Sequence, residues 1–209
     1  MSLYISIFVI FAVNLLAQSQ EGTTSVEELR HPLTGKSRQA ILTAQKHLKS
    51  AQHEQGMEEL RQLLDDPGAM RYAISMLAVE HLRAGQAEVA LSELRQAVRL
   101  LPGRAENLAN FAYALLLTGN IDEGLPQAHK ALQLDPGCPK TRLILGMLLL
   151  RKGSHDAEAI AHIQAATQEI PFAHLALADH YEQAGYAPEA ERERRAYSVA
   201  TTSLLASRK

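Results

Sequence analysis

Apolar residues recur at three- and four-residue steps through most of the chain, and the runs are cut at regular intervals. Between Arg71 and Pro102, Ile74, Leu77, Ala78 and His81 fall on one helical face. Gly85 interrupts that run, and Val89, Ala90, Leu94, Ala97 and Val98 then make an answering face before Pro102 closes the stretch. Gly and Pro end helices, the first by losing backbone order and the second by removing a donor and clashing with the preceding turn. The pattern therefore predicts two helices between successive prolines. Pro67, Pro102, Pro136 and Pro171 are spaced 35, 34 and 35 residues apart, and Gly85, Gly119, Gly153 and Gly185 are spaced 34, 34 and 32. A fixed period of this length is the mark of a repeat array.

Small residues keep the same register. The eighth place of each unit holds Ala44, Ala78, Ala112, Gly146 and Ala178, and the twentieth holds Gly56, Ala90, Gly124, Ala159 and Ala190. Ala97, Ala131 and Ala166 occupy the twenty-seventh. A larger side chain at the eighth or twentieth place would push paired helices apart. The string KALQLDPG, Lys130 to Gly137, closes one unit.

On these positions the chain resembles the tetratricopeptide repeat, a helix–turn–helix unit of about 34 residues. The resemblance implies an all-α fold, a right-handed α-solenoid of about five such repeats over residues 38–209. Departures include the absence of Trp, Arg142 and His174 at fourth positions, and an extra residue near His155-Asp156. Pro126, early in a second helix, is expected to delay or kink its start, whereas Pro188 suits a first helical position. The charged last helix, with Glu191 and Arg195 four residues apart, reads as a solvated cap.

Residues 1–19, MSLYISIFVIFAVNLLAQS, carry 14 apolar residues and no charge. The length suits a secretory signal better than a spanning helix, and Ala17-Gln18-Ser19 fits a cleavage site before Gln20. Residues 20–37 form a polar lead. The expected location is periplasmic or secreted, with no integral membrane span after cleavage. The alternative is a membrane-tethered subunit of an envelope assembly or secretion complex, held by an uncleaved anchor.

Composition narrows the chemistry. The formal net charge of −2 argues against nucleic acid. One cysteine, Cys138, excludes an intrachain disulfide framework and multi-cysteine metal sites. Nine histidines make no H-E-x-x-H, and the best metal candidate is His155, Glu158 and His162, weakened because His155 falls in a turn. Gly35-Lys36-Ser37 ends like a phosphate loop, but Arg30 stands where the earlier glycine belongs. No enzyme, metal or cofactor is expected.

The resemblance also implies that positions two, five, nine and twelve of each first helix line a concave groove that binds a protein or peptide partner. These are Tyr72, Ser75, Val79 and Leu82, with Met76 beside them; Glu106, Ala109, Tyr113 and Leu116; and Lys140, Leu143, Met147 and Leu150. The basic, Asn-bearing pattern that clamps peptide carboxylates in some family members is missing. The expected guest is an apolar or amphipathic segment, met by Tyr72, Met76, Val79, Leu82, Tyr113, Leu116, Leu143, Met147 and Leu150. The competing role for each is packing on a neighbouring repeat.

Overall fold

The computed structural model describes residues 32–33, 35–50, 52–153 and 156–206. The expected signal segment, Gln20 to His31 of the polar lead, and His155 lie outside the described residues. The described residues form ten α-helices and no strand. In chain order these are α1 (Gly35–Leu48), α2 (His53–Gln62), α3 (Met70–Arg83), α4 (Ala87–Leu100), α5 (Ala105–Leu117), α6 (Ile121–Leu134), α7 (Pro139–Lys152), α8 (Asp156–Ala166), α9 (Phe172–Gln183) and α10 (Ala187–Ala206). A 3-10 turn, Leu63–Asp65, extends α2.

The punctuation works as the period requires. Gly85, Gly119, Gly153 and Gly185 adopt φ of 74°, 79°, 72° and 82°. That left-handed conformation is costly for a residue with a Cβ, so glycine at each site stops a helix and reverses the chain. Pro139 opens α7, where the missing N–H is no loss. Pro126 corrects an expectation: α6 begins at Ile121 and runs through the proline. Asp122, whose carbonyl the proline cannot bond, and Pro126 itself are both exposed, so water can take the orphaned acceptor. The first helix starts at Gly35, slightly ahead of the repeat edge expected at Arg38.

The chain divides into two compact units, the first ending at Gly119 and the second beginning at Asn120. In the first, α1 pairs with α2 and α3 with α4, while α2 packs on α3 and α4 on α5. Ile41, Ala44, Met57, Leu60, Ala69, Tyr72, Ala73, Leu77 and Leu101 form one buried cluster across the first two repeats. In the second, α7 pairs with α8 and α9 with α10, with α6 packed on α7 and α8 on α9. Each unit is thus a row of neighbouring helices with no central nucleus, as stacked repeats demand.

The small residues sit where paired helices nearly touch. A Cβ added to Gly56 on α2 would lie 2.8 Å from the Leu48 amide nitrogen and 3.0 Å from the Ala44 carbonyl oxygen. One added to Gly146 on α7 would lie 2.5 Å from Ile163 Cγ1 and 2.8 Å from the Ala159 carbonyl oxygen on α8. Ala44, Ala78, Ala90, Ala97, Ala112, Ala131, Ala159 and Ala166 are all fully buried.

Polar contacts pin the edges. The Ser37 hydroxyl donates to Asp66 Oδ2 at 2.6 Å, and Asp66 Oδ1 accepts from the Gly68 amide at 2.8 Å, tying the start of α1 to the entry of α3. These bonds hold the Asp66 carboxyl below its ordinary range. On α10, Arg195 reaches Glu191 at 2.9 Å, and Arg194 crosses to Glu182 of α9.

Gly146→Val is expected to overpack the α7–α8 contact and lower unfolding stability by about 1–3 kcal/mol in urea titrations. Gly137→Ala is the control, because its added Cβ meets only Asp135 Oδ1, at 3.8 Å. It is expected to unfold like the parent, and equal losses in both variants contradict the register.

Candidate functional site

The proposed binding positions lie on three first helices. In the first unit, α3 carries Tyr72, Met76, Val79 and Leu82, and α5 carries Tyr113 and Leu116. In the second, α7 carries Leu143, Met147 and Leu150. Helical spacing places each set along one face.

Their exposure divides them. Tyr72, Leu82, Tyr113, Leu116 and Leu143 are buried, Tyr113 and Leu143 retaining 2% of their surface. Met76, Val79, Met147 and Leu150 stay half-buried. A partner that touches Tyr113 must therefore displace whatever covers it, whereas the two thioethers, Val79 and Leu150 present apolar surface as they stand. Burial also drives the Tyr113 phenol well above its usual range.

Local bonding explains part of the division. The Ser75 hydroxyl donates to the Arg71 carbonyl at 3.1 Å and is used up within α3. The Arg104 guanidinium lies 5.7 Å from the centre of the Tyr72 ring, a cation–π contact that holds the ring in place. Arg95 sits likewise over Phe111, at 5.5 Å, between α4 and α5. Phe172, at the second position of the last repeat, is buried too. Met76 Sδ takes a weak contact from Gln45 Nε2 at 3.8 Å and remains partly open.

No group of three His, Cys, Asp or Glu among the described residues is placed to hold a metal ion. Glu158 and His162, the described members of the metal candidate, stand 3.9 Å apart. Burial lowers the His162 pKa from its ordinary value; Glu158 opposes that, and Arg142 and His129 reinforce it. Cys138 precedes α7 as its N-cap residue, and no side-chain cap bond forms there.

One set of contacts was not anticipated from the sequence. His47 Nδ1 lies 2.9 and 2.8 Å from the two carboxylate oxygens of Glu59, and His81 Nδ1 lies 2.7 Å from Glu93 Oε2. Each pair is separated by 12 residues, and the two pairs stand one repeat apart. A signal existed in the shared period of the histidines and glutamates, but it appears only when polar positions are aligned along with apolar ones.

A tetratricopeptide-repeat family model matches residues 109–174. Over those residues the chain matches the tetratricopeptide repeat, and the helix pairs on either side keep the same helix–turn–helix arrangement. Solved structures agree on the fold. PilW, described as a widely conserved type IV pilus biogenesis factor, is 20% identical, with 81% of this chain and 80% of that one covered and a TM-score of 0.70. MamA from Desulfovibrio magneticus RS-1, residue 41 to its end, is 14% identical, with 82% and 98% covered and a TM-score of 0.65. Another MamA crystal structure is 16% identical, with 78% and 96% covered and a TM-score of 0.60. No curated protein sequence matches the chain. At these identities the likeness speaks for the fold alone. Among the described residues, no helix is long and apolar enough to cross a membrane.

Two measurements check the site description. Tyr113→Ala is expected to cost about 3–5 kcal/mol of stability, as truncation of a buried aromatic does; a near-unchanged urea midpoint contradicts the burial. For His162 the folded state favours the neutral ring. Its stabilising contribution is therefore present above the ordinary value of 6.5 and is lost as pH falls through the lowered folded value. His162→Gln is expected to lose less stability than the parent between about pH 7 and about pH 5, read from urea midpoints at each pH.

Proposed function

We propose that the protein is a non-catalytic binding scaffold outside the cytoplasm, periplasmic or secreted, which captures an apolar or amphipathic segment of a partner protein. The observation that carries this reading is the half-buried apolar surface at groove positions of the repeats: Met76 and Val79 on α3, Met147 and Leu150 on α7. Thioethers are unbranched and polarisable, so they adapt to varied apolar shapes. The absence of a basic carboxylate clamp at these positions supports an apolar contact over recognition of an acidic tail. Tyr72, Leu82, Tyr113, Leu116 and Leu143, buried on the same helices, back the half-buried residues and stiffen each face.

The location rests on the uncharged apolar leader that ends in Ala17-Gln18-Ser19. PilW, which shares the fold, is named as a pilus biogenesis factor, and a role in envelope assembly is offered by analogy of fold only. Mass measurement of the mature protein separates the secreted reading from the tethered one: a chain starting at Gln20 supports the first, and one retaining Met1 supports the second.

Photo-crosslinking tests the binding reading, with the probe placed at Met76 or Met147 and, as controls, at the exposed Arg99 and Lys130. The expected result is one partner captured from the groove positions and not from the controls. Met76→Glu and Met147→Glu, tested singly, are expected to weaken that partner's binding by about 1–2 kcal/mol each with unchanged thermal unfolding. Equal capture at all four sites, or unaltered affinity in both variants, overturns the assignment.

A further inference from the structure

The exposed face of α1 continues the apolar face of α3. Gln45 Nε2 of α1 lies 3.8 Å from Met76 Sδ of α3. Arg38, Leu42, Gln45 and Lys49 follow one another at three- and four-residue steps, so they form one stripe, with Lys46 at its edge. All five are exposed, and Leu42 keeps 50% of its surface. The stripe thus sets apolar surface at Leu42 within one turn of the Gln45–Met76 contact and flanks it with three cations. No Asp or Glu stands between Pro32 and His53, so those cations have no acidic neighbour on their own helix.

The chain enters this face from its own lead. Arg38 Nε donates to the Leu33 carbonyl oxygen at 3.2 Å, which holds residue 33 against the first turn of α1. The Leu33 side chain packs against the same buried cluster that Met76 borders. Upstream, residues 20–31 lie outside the described residues, and their sequence is QEGTTSVEELRH. It holds three glutamates against one arginine, with Leu29 four residues before Leu33. That chemistry complements the stripe, an apolar side chain for Leu42 and Met76 and carboxylates for Lys46 and Lys49. The lengths agree. A rise of about 1.5 Å per helical residue puts Leu42 about 10 Å, Lys46 about 16 Å and Lys49 about 21 Å beyond Gly35. An extended chain covers about 3.3 Å per residue, which takes Leu29 about 13 Å, Glu28 about 16 Å and Glu27 about 20 Å back from Leu33.

We propose that residues 20–31 dock on this face of their own chain, Leu29 against Leu42 and Met76, and Glu28 and Glu27 against Lys46 and Lys49, as an internal occupant of the first unit's apolar surface. Exposed charge pairs hold weakly by themselves. Here the segment is tethered at Leu33, and a short link raises its effective concentration to about the millimolar range. The lead is therefore present at its site and still displaceable. The docking stands on α1 and α3 alone. Its consequence rests on the proposed function: a partner that takes Met76 and Val79 must first expel the lead, whereas Met147 and Leu150, in the second unit, lie outside the docking face.

The test uses the full chain with a photo-crosslinking residue at Leu42 or Met76 and, as a control, at the exposed Arg99. No partner is present, so the outcome is independent of the partner reading. Equal parts of isotopically light and heavy protein are irradiated together, and linked peptides are identified by mass. The expected result is linkage from Leu42 and Met76 to peptides of residues 20–31, light to light and heavy to heavy, and none from Arg99. Lys46→Glu combined with Lys49→Glu, both at exposed positions, is expected to lower that yield by about fivefold with unchanged thermal unfolding. Adding Glu27→Lys and Glu28→Lys to that variant is expected to restore the yield. Absent linkage to residues 20–31, or a yield indifferent to the charge reversal, overturns the proposal. Linkage that joins light to heavy chains overturns it too and assigns the face to a second copy.

Discussion

Helix pairs in this chain approach until backbone meets side chain, and that approach is possible only because glycine or alanine stands at the contact. At Gly146 there is no room for one more carbon, since Ile163 and the Ala159 carbonyl already occupy its place. At Gly56 the same limit is set by Leu48 and the Ala44 carbonyl. The close approach lets Leu60, Leu77, Leu94 and Ile163 fill the space beside the contact and become fully buried. Widening it at one pair would tilt every later helix in that unit, because a row of hairpins has no separate core to absorb the shift. The fully buried alanines follow from this constraint as much as from helix propensity.

The fold was legible because its determinants are periodic. Small residues, glycine stops and prolines recur at one spacing, and each has a mechanical reason to sit where it does. What the period could not show was the depth of burial at the groove positions. Tyr72, Met76 and Val79 share one face of α3, yet one is closed off and two remain half-open. The difference comes from tertiary neighbours such as Arg104, which covers the Tyr72 ring from outside the helix. The start of α6, expected to be delayed by Pro126, was misplaced for a related reason. The proline's cost depends on whether the freed carbonyl reaches water, and exposure of Asp122 and Pro126 answers that only once the helix has a position.

The polar network was hidden in another way. His47 and Glu59 are 12 residues apart, a separation with no meaning inside one helix. It becomes a contact only when a turn folds α2 back along α1, bringing the end of the first helix beside the middle of the second. The same 12-residue separation recurs at His81 and Glu93, one repeat further on. A residue type that looks scattered along the chain is thus set in register by the fold. Histidine also suits the place: its ring fills space as an apolar residue would, and its nitrogen reaches across to the carboxylate.

These features together assign different work to different residues of the same helix. On α3, Leu77 and Ala78 hold the hairpin, Glu80 and His81 fasten it to its neighbours, and Met76 and Val79 are left with surface to spare. Apolar side chains that already complete a core have little left to gain from a partner, because their transfer from water has been made. Half-buried ones still have area to lose, and they are held by a scaffold rigid enough to limit the entropy cost of binding. On that physical ground the thioethers and their aliphatic neighbours outrank the buried tyrosines as the residues a partner meets first, although tyrosine is the commoner anchor at protein interfaces. The tyrosines matter through the stiffness they lend to the helices that display the rest.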